Sequence, residues 1–446
     1  MKASIVAALA LALCAAGALT ASAEAARIVD LAECLRLGFA NDAGLRSDEL
    51  QTQIADARLR EMQGQYLPSV ALQGGYSRLS DVTPGSMTLD LGAPIGSKTV
   101  TFPAPLVNST SLGIAVQQPL FTGQRIASSI RQAEAMRDSD RGDLARSRLE
   151  LRYTISEAYW SFAKARTQQL AITQSVAQAE THLADARKLL DQGMVTNNDV
   201  LQAQMRLEDA QIELASAGSF RQIARVRLAQ LIGLPWNANL DIPDDALQTI
   251  QPQQGKLEDL VARALAVRPE IQGARSRMSA GEASVDLARS GLSPSIFLTG
   301  GYTLADPNQR VFPQADQFIG TWSLGITASI DIGRFPQVVA QQEQAQSRLA
   351  QARESSRKLA DVVTAEVVRA YLTANEAAGR FDALRRETAQ AEENDRVTRE
   401  RYRQGVALSS ESLDSQAMLV RARLREYGAL FDFLVARAAL ERAVGE

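Results

Sequence analysis

At roughly 100–200 residues per domain, a chain of 446 residues has room for two or three ordinary domains, and its 46% apolar content excludes a disordered polymer. The 48 basic and 51 acidic residues leave a net charge of −3, so there is no electrostatic footprint for nucleic acid. One histidine and two cysteines exclude a His/Cys zinc cluster, and an aromatic content of only 5% suits long close-packed helices better than one large core.

The chain opens with Lys2, an apolar run from Ile5 to Leu19 and the small residues Ala21-Ser22-Ala23. That order predicts a secretory signal peptide over residues 1–23, cleaved before Glu24. Gly17, Thr20 and Ser22 interrupt the roughly 20 apolar residues that a membrane anchor needs. Leu13 stands before Cys14 where a lipoprotein signal needs a small residue. Cys34 is then the only cysteine of the mature chain, expected as a small buried helical residue.

Residues 24–240 form a first repeat, beginning with a helix over about 30–65 that Pro68 ends. A strand follows over about 68–78, in which Val70, Leu72 and Tyr76 alternate with Ala71, Gln73 and Ser77. Pro84, Pro94, Pro103 and Pro105 mark 78–110 as an exposed loop before a second strand over about 110–120. A long helical hairpin over 123–232 completes the repeat, with Gly193 as the left-handed cap of its turn and Asn197-Asn198 available to cap the returning helix. In mid-helix, His182 is expected to face solvent.

Residues 241–446 repeat the plan: a helix over 256–291, strands over about 294–304 and 319–331, and a long hairpin over 333–444 that turns at Gly405. Gly74-Gly75-Tyr76 recurs as Gly300-Gly301-Tyr302 at an offset of 226 residues, and Gly193 recurs as Gly405 at an offset of 212. Four such matches in order indicate an early duplication. The first arm of each hairpin would run roughly 105 Å at 1.5 Å per residue. Alternating strands of about ten residues, with Tyr76, Tyr302 and Trp322 near their loop ends, fit a membrane barrel. Four strands do not close one, and open edges in lipid would cost several kcal/mol per unsatisfied group, so at least two chains must contribute. No nucleophile–base constellation supports an enzyme, and no cofactor site is indicated.

This ordered pattern, together with Gly193–Ala203, Gly405–Ala417 and the Leu-Pro-Ser/Gly-Gly-Tyr strand openings, resembles the outer-membrane efflux protein family, the TolC-like exit ducts of Gram-negative bacteria. The resemblance implies a mixed α/β membrane protein. Four strands per chain would join a shared 12-strand barrel in the lipid of the outer membrane, as a homotrimer, above a periplasmic tunnel of helical hairpins. Its partners would be two further copies of itself, a periplasmic adaptor and an inner-membrane transporter of an efflux pump or type I secretion system. A periplasmic coiled-coil adaptor is the alternative, but it should carry one hairpin flanked by compact β domains rather than two hairpins with lipid-type strands.

By the same resemblance, Glu411 and Asp414, six and nine residues after Gly405, form an acidic selectivity ring at the periplasmic entrance. Asp199, Tyr402 and Asn198 supply polar gate links between hairpins. The family's basic partner two residues after the second glycine is absent, since Ala407 stands there, with Arg401 or Arg403 as substitutes.

Overall fold

The computed structural model describes residues 27–90, 92–94, 96–101, 106–243, 255–312, 314–404 and 406–446. The expected signal peptide and Gly405 lie outside the described residues. In chain order the elements are β1 (Arg27–Ile28), α1 (Leu31–Asn41), α2 (Ala43–Gly64), β2 (Ser69–Arg78), β3 (Ser86–Asp90), β4 (Ser97–Thr101), β5 (Asn108–Phe121), α3 (Arg125–Asp191), α4 (Asn197–Leu231) and β6 (Leu240–Asp241), then α5 (Leu257–Val267), α6 (Pro269–Arg289), β7 (Ser295–Asp306), β8 (Ile319–Ser329), α7 (Phe335–Arg403) and α8 (Ser409–Val444). Two compact units result. One holds Glu49–Asp143 and Glu270–Leu359, the other the remaining segments, and each draws on both halves of the duplicated sequence.

The first unit carries a four-stranded antiparallel sheet in the order β2-β5-β7-β8. Its register keeps residues of one parity on one face. Tyr302 sits opposite both Ile114 and Trp322, and Thr303 opposite both Gly113 and Thr321. One face is therefore apolar (Val70, Leu72, Ile114, Tyr302, Leu324, Ile326) and lies bare, with Leu72 72% and Leu324 69% exposed. The other face bears mainly Ser, Thr, Gly, Ala and Gln, with Pro119, Phe297 and Ile319 near its ends. Pro119 has no N–H to give the ladder, and the register shifts between it and Phe121. The segment expected as a loop over 78–110 contains the hairpin β3–β4, in which Met87 pairs with Val100. Its strands are only five residues each, too short for alternation to stand out among the prolines. Gly123, at φ +59, turns the chain from β5 into α3, and a Cβ there would lie 2.3 Å from Ser293 Cβ.

In the second unit, Val29, Cys34, Ile155, Tyr159, Phe162, Leu228, Ile232, Leu240 and Phe431 form the largest buried cluster. It joins α1, α3, α4 and α8 beside the parallel pair β1–β6. Burial pushes the Cys34 thiol up to about 12, so it stays protonated and inert. Both opening helices, each expected in one piece, are broken. Asp42 takes an extended conformation after α1, and its Oδ1 accepts a hydrogen bond from Leu45 N at 2.6 Å, capping α2. Pro269 starts α6, which forces Arg268 out of helical geometry (φ −58, ψ 130). Among the described residues, no helix is long and apolar enough to cross a membrane.

The break at Arg268 places a buried cation among three helices. Its Nη1 lies 2.7 Å from Glu366 Oε2 in α7. Arg442 of α8 binds the other Glu366 oxygen, reaches Glu150 of α3 at 2.7 Å, and stacks over the Tyr153 ring at 5.0 Å. Of these groups only Arg268 is buried, and removing the carboxylate paired with a buried cation costs about 3–5 kcal/mol. Glu366→Ala should therefore lower unfolding stability by about 3 kcal/mol, read from denaturant midpoints in detergent by circular dichroism. A loss below about 0.5 kcal/mol would show these pairs to be ordinary solvated contacts.

Candidate functional site at the hairpin ends

The two hairpin turns belong to the same compact unit. At the end of α3, Gly193 N–H donates to Leu190 O and Met194 N–H to Leu189 O, both at 2.9 Å. This is the paired closure of a Schellman turn, and it requires the left-handed φ of +70 that Gly193 adopts. Nothing lies within 4 Å of a Cβ built there, so backbone conformation alone calls for glycine. At the end of α7, Val406 N–H donates to Arg401 O at 2.9 Å, the same five-residue closure.

The returning helices are capped differently from the sequence expectation. Thr196 caps α4, one residue before Asn197, and Asp199 Oδ2 accepts from both Thr196 N (2.8 Å) and Thr196 Oγ1 (2.7 Å). Leu408 precedes α8 and offers no polar side chain, while Ser409 and Ser412 are buried against the hairpin. The Thr196 hydroxyl, and then its backbone N–H, hold the Asp199 carboxyl below the usual carboxylate range.

Within the chain, no hydrogen bond joins Asp199 to Tyr402 among the described residues, because the Asp199 carboxylate already serves the cap. Tyr402 is 6% exposed and its ring lies 5.3 Å from that of His182. His182 is thus half-buried rather than solvent-facing, with Nε2 3.4 Å from Ser409 Oγ. Buried Tyr402 Oη has no hydrogen-bond partner. Burial pushes this phenol above its ordinary value; the Ser409 hydroxyl offsets part of the rise without meeting hydrogen-bond geometry, and the charges of Asp199 and Asp185 add to it.

A polar cavity of about 140 Å³ adjoins this pair, lined by His182, Asp185, Asp395, Arg399, Tyr402 and Ser412 among others. Asp395 is 1% exposed and paired with Arg399 one turn on. Sequence reasoning missed this pair, although an acid four residues before an arginine was its visible signal. Glu411 and Asp414 lie three residues apart on the exposed face of α8, opposite buried Ser409, Ser412 and Ser415. Neither side chain has a hydrogen bond or ion pair among the described residues. Asn198 is exposed, as are Arg401 and Arg403 around the position where Ala407 replaces the expected cation.

Burial lowers the His182 pKa from its ordinary 6.5, with Asp185 opposing. The neutral ring is therefore the packed form. Stability from this packing is complete above the ordinary value and is lost as pH falls through the lowered one. Hydrogen exchange over 178–186 and 399–412 should accelerate as pH is lowered below about 6.5, after correction for intrinsic exchange, and His182→Phe should remove that step. Asp199 should loosen its cap only at much lower pH, below the ordinary carboxylate range. An identical pH response in the parent and His182→Phe would exclude His182 as its source.

The family model for outer membrane efflux protein matches residues 37–234 and 260–446. The chain is 24% identical to Protein CyaE of Bordetella pertussis over 428 residues, covering 94% of this chain and 85% of that protein. It is 24% identical to outer membrane efflux protein BepC of Brucella suis over 430 residues, covering 95% and 86%. Its fold superposes on the open-state crystal structure of the MtrE outer membrane channel of Neisseria gonorrhoeae with a TM-score of 0.75 at 20% identity, covering 93% and 88% of the two chains. With paired long hairpins, a sheet bare on one apolar face and a family match over both repeats, the chain belongs to the outer membrane efflux protein family.

Proposed function

We propose that this outer-membrane exit channel of an efflux or secretion system works as a homotrimer. Each chain lends four strands to one twelve-strand barrel in the outer membrane and two hairpins to a periplasmic tunnel. The observation that carries this reading is the sheet itself. It has one bare apolar face, one polar face, and outer strands β2 and β8 that each pair on one side only. In lipid, unpaired edges are prohibitive, and a barrel needs about eight strands or more. Two chains would meet that minimum, and the choice of three rests on the family.

In this reading a periplasmic adaptor and an inner-membrane transporter supply substrate and energy, and the duct contributes a gated passage. Glu411 and Asp414 ring the entrance, where threefold repetition would place six carboxylates in one narrow band, attracting cations, multivalent ones most. Tyr402, Asp199 and Asn198 of adjacent hairpins would link the closed mouth. To serve this link the Tyr402 hydroxyl, which is buried and has no hydrogen-bond partner among the described residues, would have to turn outward. Gly193 sets the turn of the first hairpin, from which Asn198 and Asp199 follow.

The assembly is tested by electrophoresis without heating. The protein purified from outer membranes should run as a heat-sensitive trimer, and a monodisperse soluble monomer in the absence of detergent would exclude the reading. The entrance is tested in planar bilayers. Trivalent cation at about micromolar concentration on the periplasmic side should block the current, and Glu411→Gln/Asp414→Asn should abolish the block without loss of the trimer. Equal block in parent and variant would place these carboxylates outside the conduction path.

A further inference from the structure

Resting on the reading that these strands line a shared barrel, we propose that the barrel's inner wall is an uncharged hydroxyl surface. It admits solutes of either sign and leaves charge selection to the helical part of the duct. In β2, β5, β7 and β8 the only ionisable side chains with a full charge are Arg78 and Asp306. Both stand at strand ends and share the parity of the apolar face: Arg78 is opposite Asn108, and Asp306 opposite Thr110. The polar face carries no charge along its whole paired length.

What occupies that face is mostly hydroxyl: Ser111, Thr299, Thr303, Thr321, Ser323 and Thr327, with the amides of Gln73 and Gln117. A hydroxyl or an amide both donates and accepts, so it solvates an anion and a cation comparably. Gly75, Gly113, Gly301 and Gly325 lie on the same face and add no side chain, which keeps the wall smooth. A ring of fixed charge is the strongest source of selection by sign that side chains could give such a wall. Symmetry multiplies whatever charge one chain supplies, and these strands supply none to this face.

The wall is tested with single cysteines in the mature chain, from which Cys14 has been removed with the expected signal peptide, reconstituted in liposomes. Buried Cys34, with its thiol pushed up to about 12, leaves a silent background. Thr303→Cys and, as a second site, Ser323→Cys are labelled with anionic and cationic methanethiosulfonates at low ionic strength. Both reagents should react, with a cation-to-anion rate ratio within about threefold of that for a small free thiol, whereas a fixed-charge ring would shift it by about tenfold or more. Leu304→Cys and Leu324→Cys, on the apolar face, should react at least about tenfold more slowly, being in lipid. A ratio shifted about tenfold at both wall sites would overturn the proposal while leaving the barrel intact. Labelling of Leu304→Cys and Leu324→Cys as fast as the wall sites would instead put both faces in water and remove the barrel reading itself. Fast labelling of the apolar sites with none at Thr303→Cys and Ser323→Cys would reverse the faces and overturn the proposal.

Discussion

Backbone hydrogen bonding at the edges of one four-stranded sheet constrains everything else in this molecule. Every strand residue except Pro119 carries a donor and an acceptor, and among the described residues β2 and β8 each have a neighbour on one side only. In water such edges are tolerable but invite association; in lipid they are not tolerable at all. The side-chain pattern leaves little choice of solvent. The face with Val70, Leu72, Tyr76, Tyr302, Trp322 and Leu324 has no protein packed over it. A bare apolar face of that extent demands lipid or a partner. These two features, the apolar face and the open edges, are what the proposed shared barrel rests on.

The helical unit follows a different physics. Its buried cluster gathers Tyr159, Phe162 and Phe431 among aliphatic side chains, and its long helices are tied by polar contacts such as the Arg268–Glu366–Arg442–Glu150 network. Alanines buried along α3, α4, α7 and α8 let backbones approach closely, which explains how a chain so poor in aromatics holds long helices together. At the hairpin ends, local capping competes with longer-range linkage. Asp199 satisfies Thr196 two ways, whereas Tyr402 packs its ring on His182 and leaves its hydroxyl without a partner. The first is complete within four residues.

Much of this was legible in the sequence because it rests on local rules. Period-two alternation marked β2, β5, β7 and β8, since a pleated strand sends successive side chains to opposite faces. Gly193 announced a left-handed turn because other residues are strained there. Other features were illegible for equally physical reasons. The break at Asp42 depends on one aspartate choosing a cap over a helical position, a preference of about a kilocalorie that neighbours decide. The break before Pro269 had a visible signal that the hydrophobic periodicity on either side obscured. His182 read as a solvent-facing residue because its partners, Tyr402 and Ser409, lie more than 200 positions away.

The sequence by itself determined the duplicated order of elements, the two chemically distinct faces of the strands, the turn at Gly193 and the absence of fixed charge along the polar face. Each is written in local patterns of a few residues or in their recurrence along the chain, which can be read without knowing any distant contact. Only the tertiary structure decided that the strands pair in the order β2-β5-β7-β8, that Arg268 is buried between Glu366 and the α8 terminus, and that Tyr402 stacks on His182 with its hydroxyl unbonded. These depend on which helices and strands approach one another, an outcome set by summed packing across the chain, which no local pattern encodes.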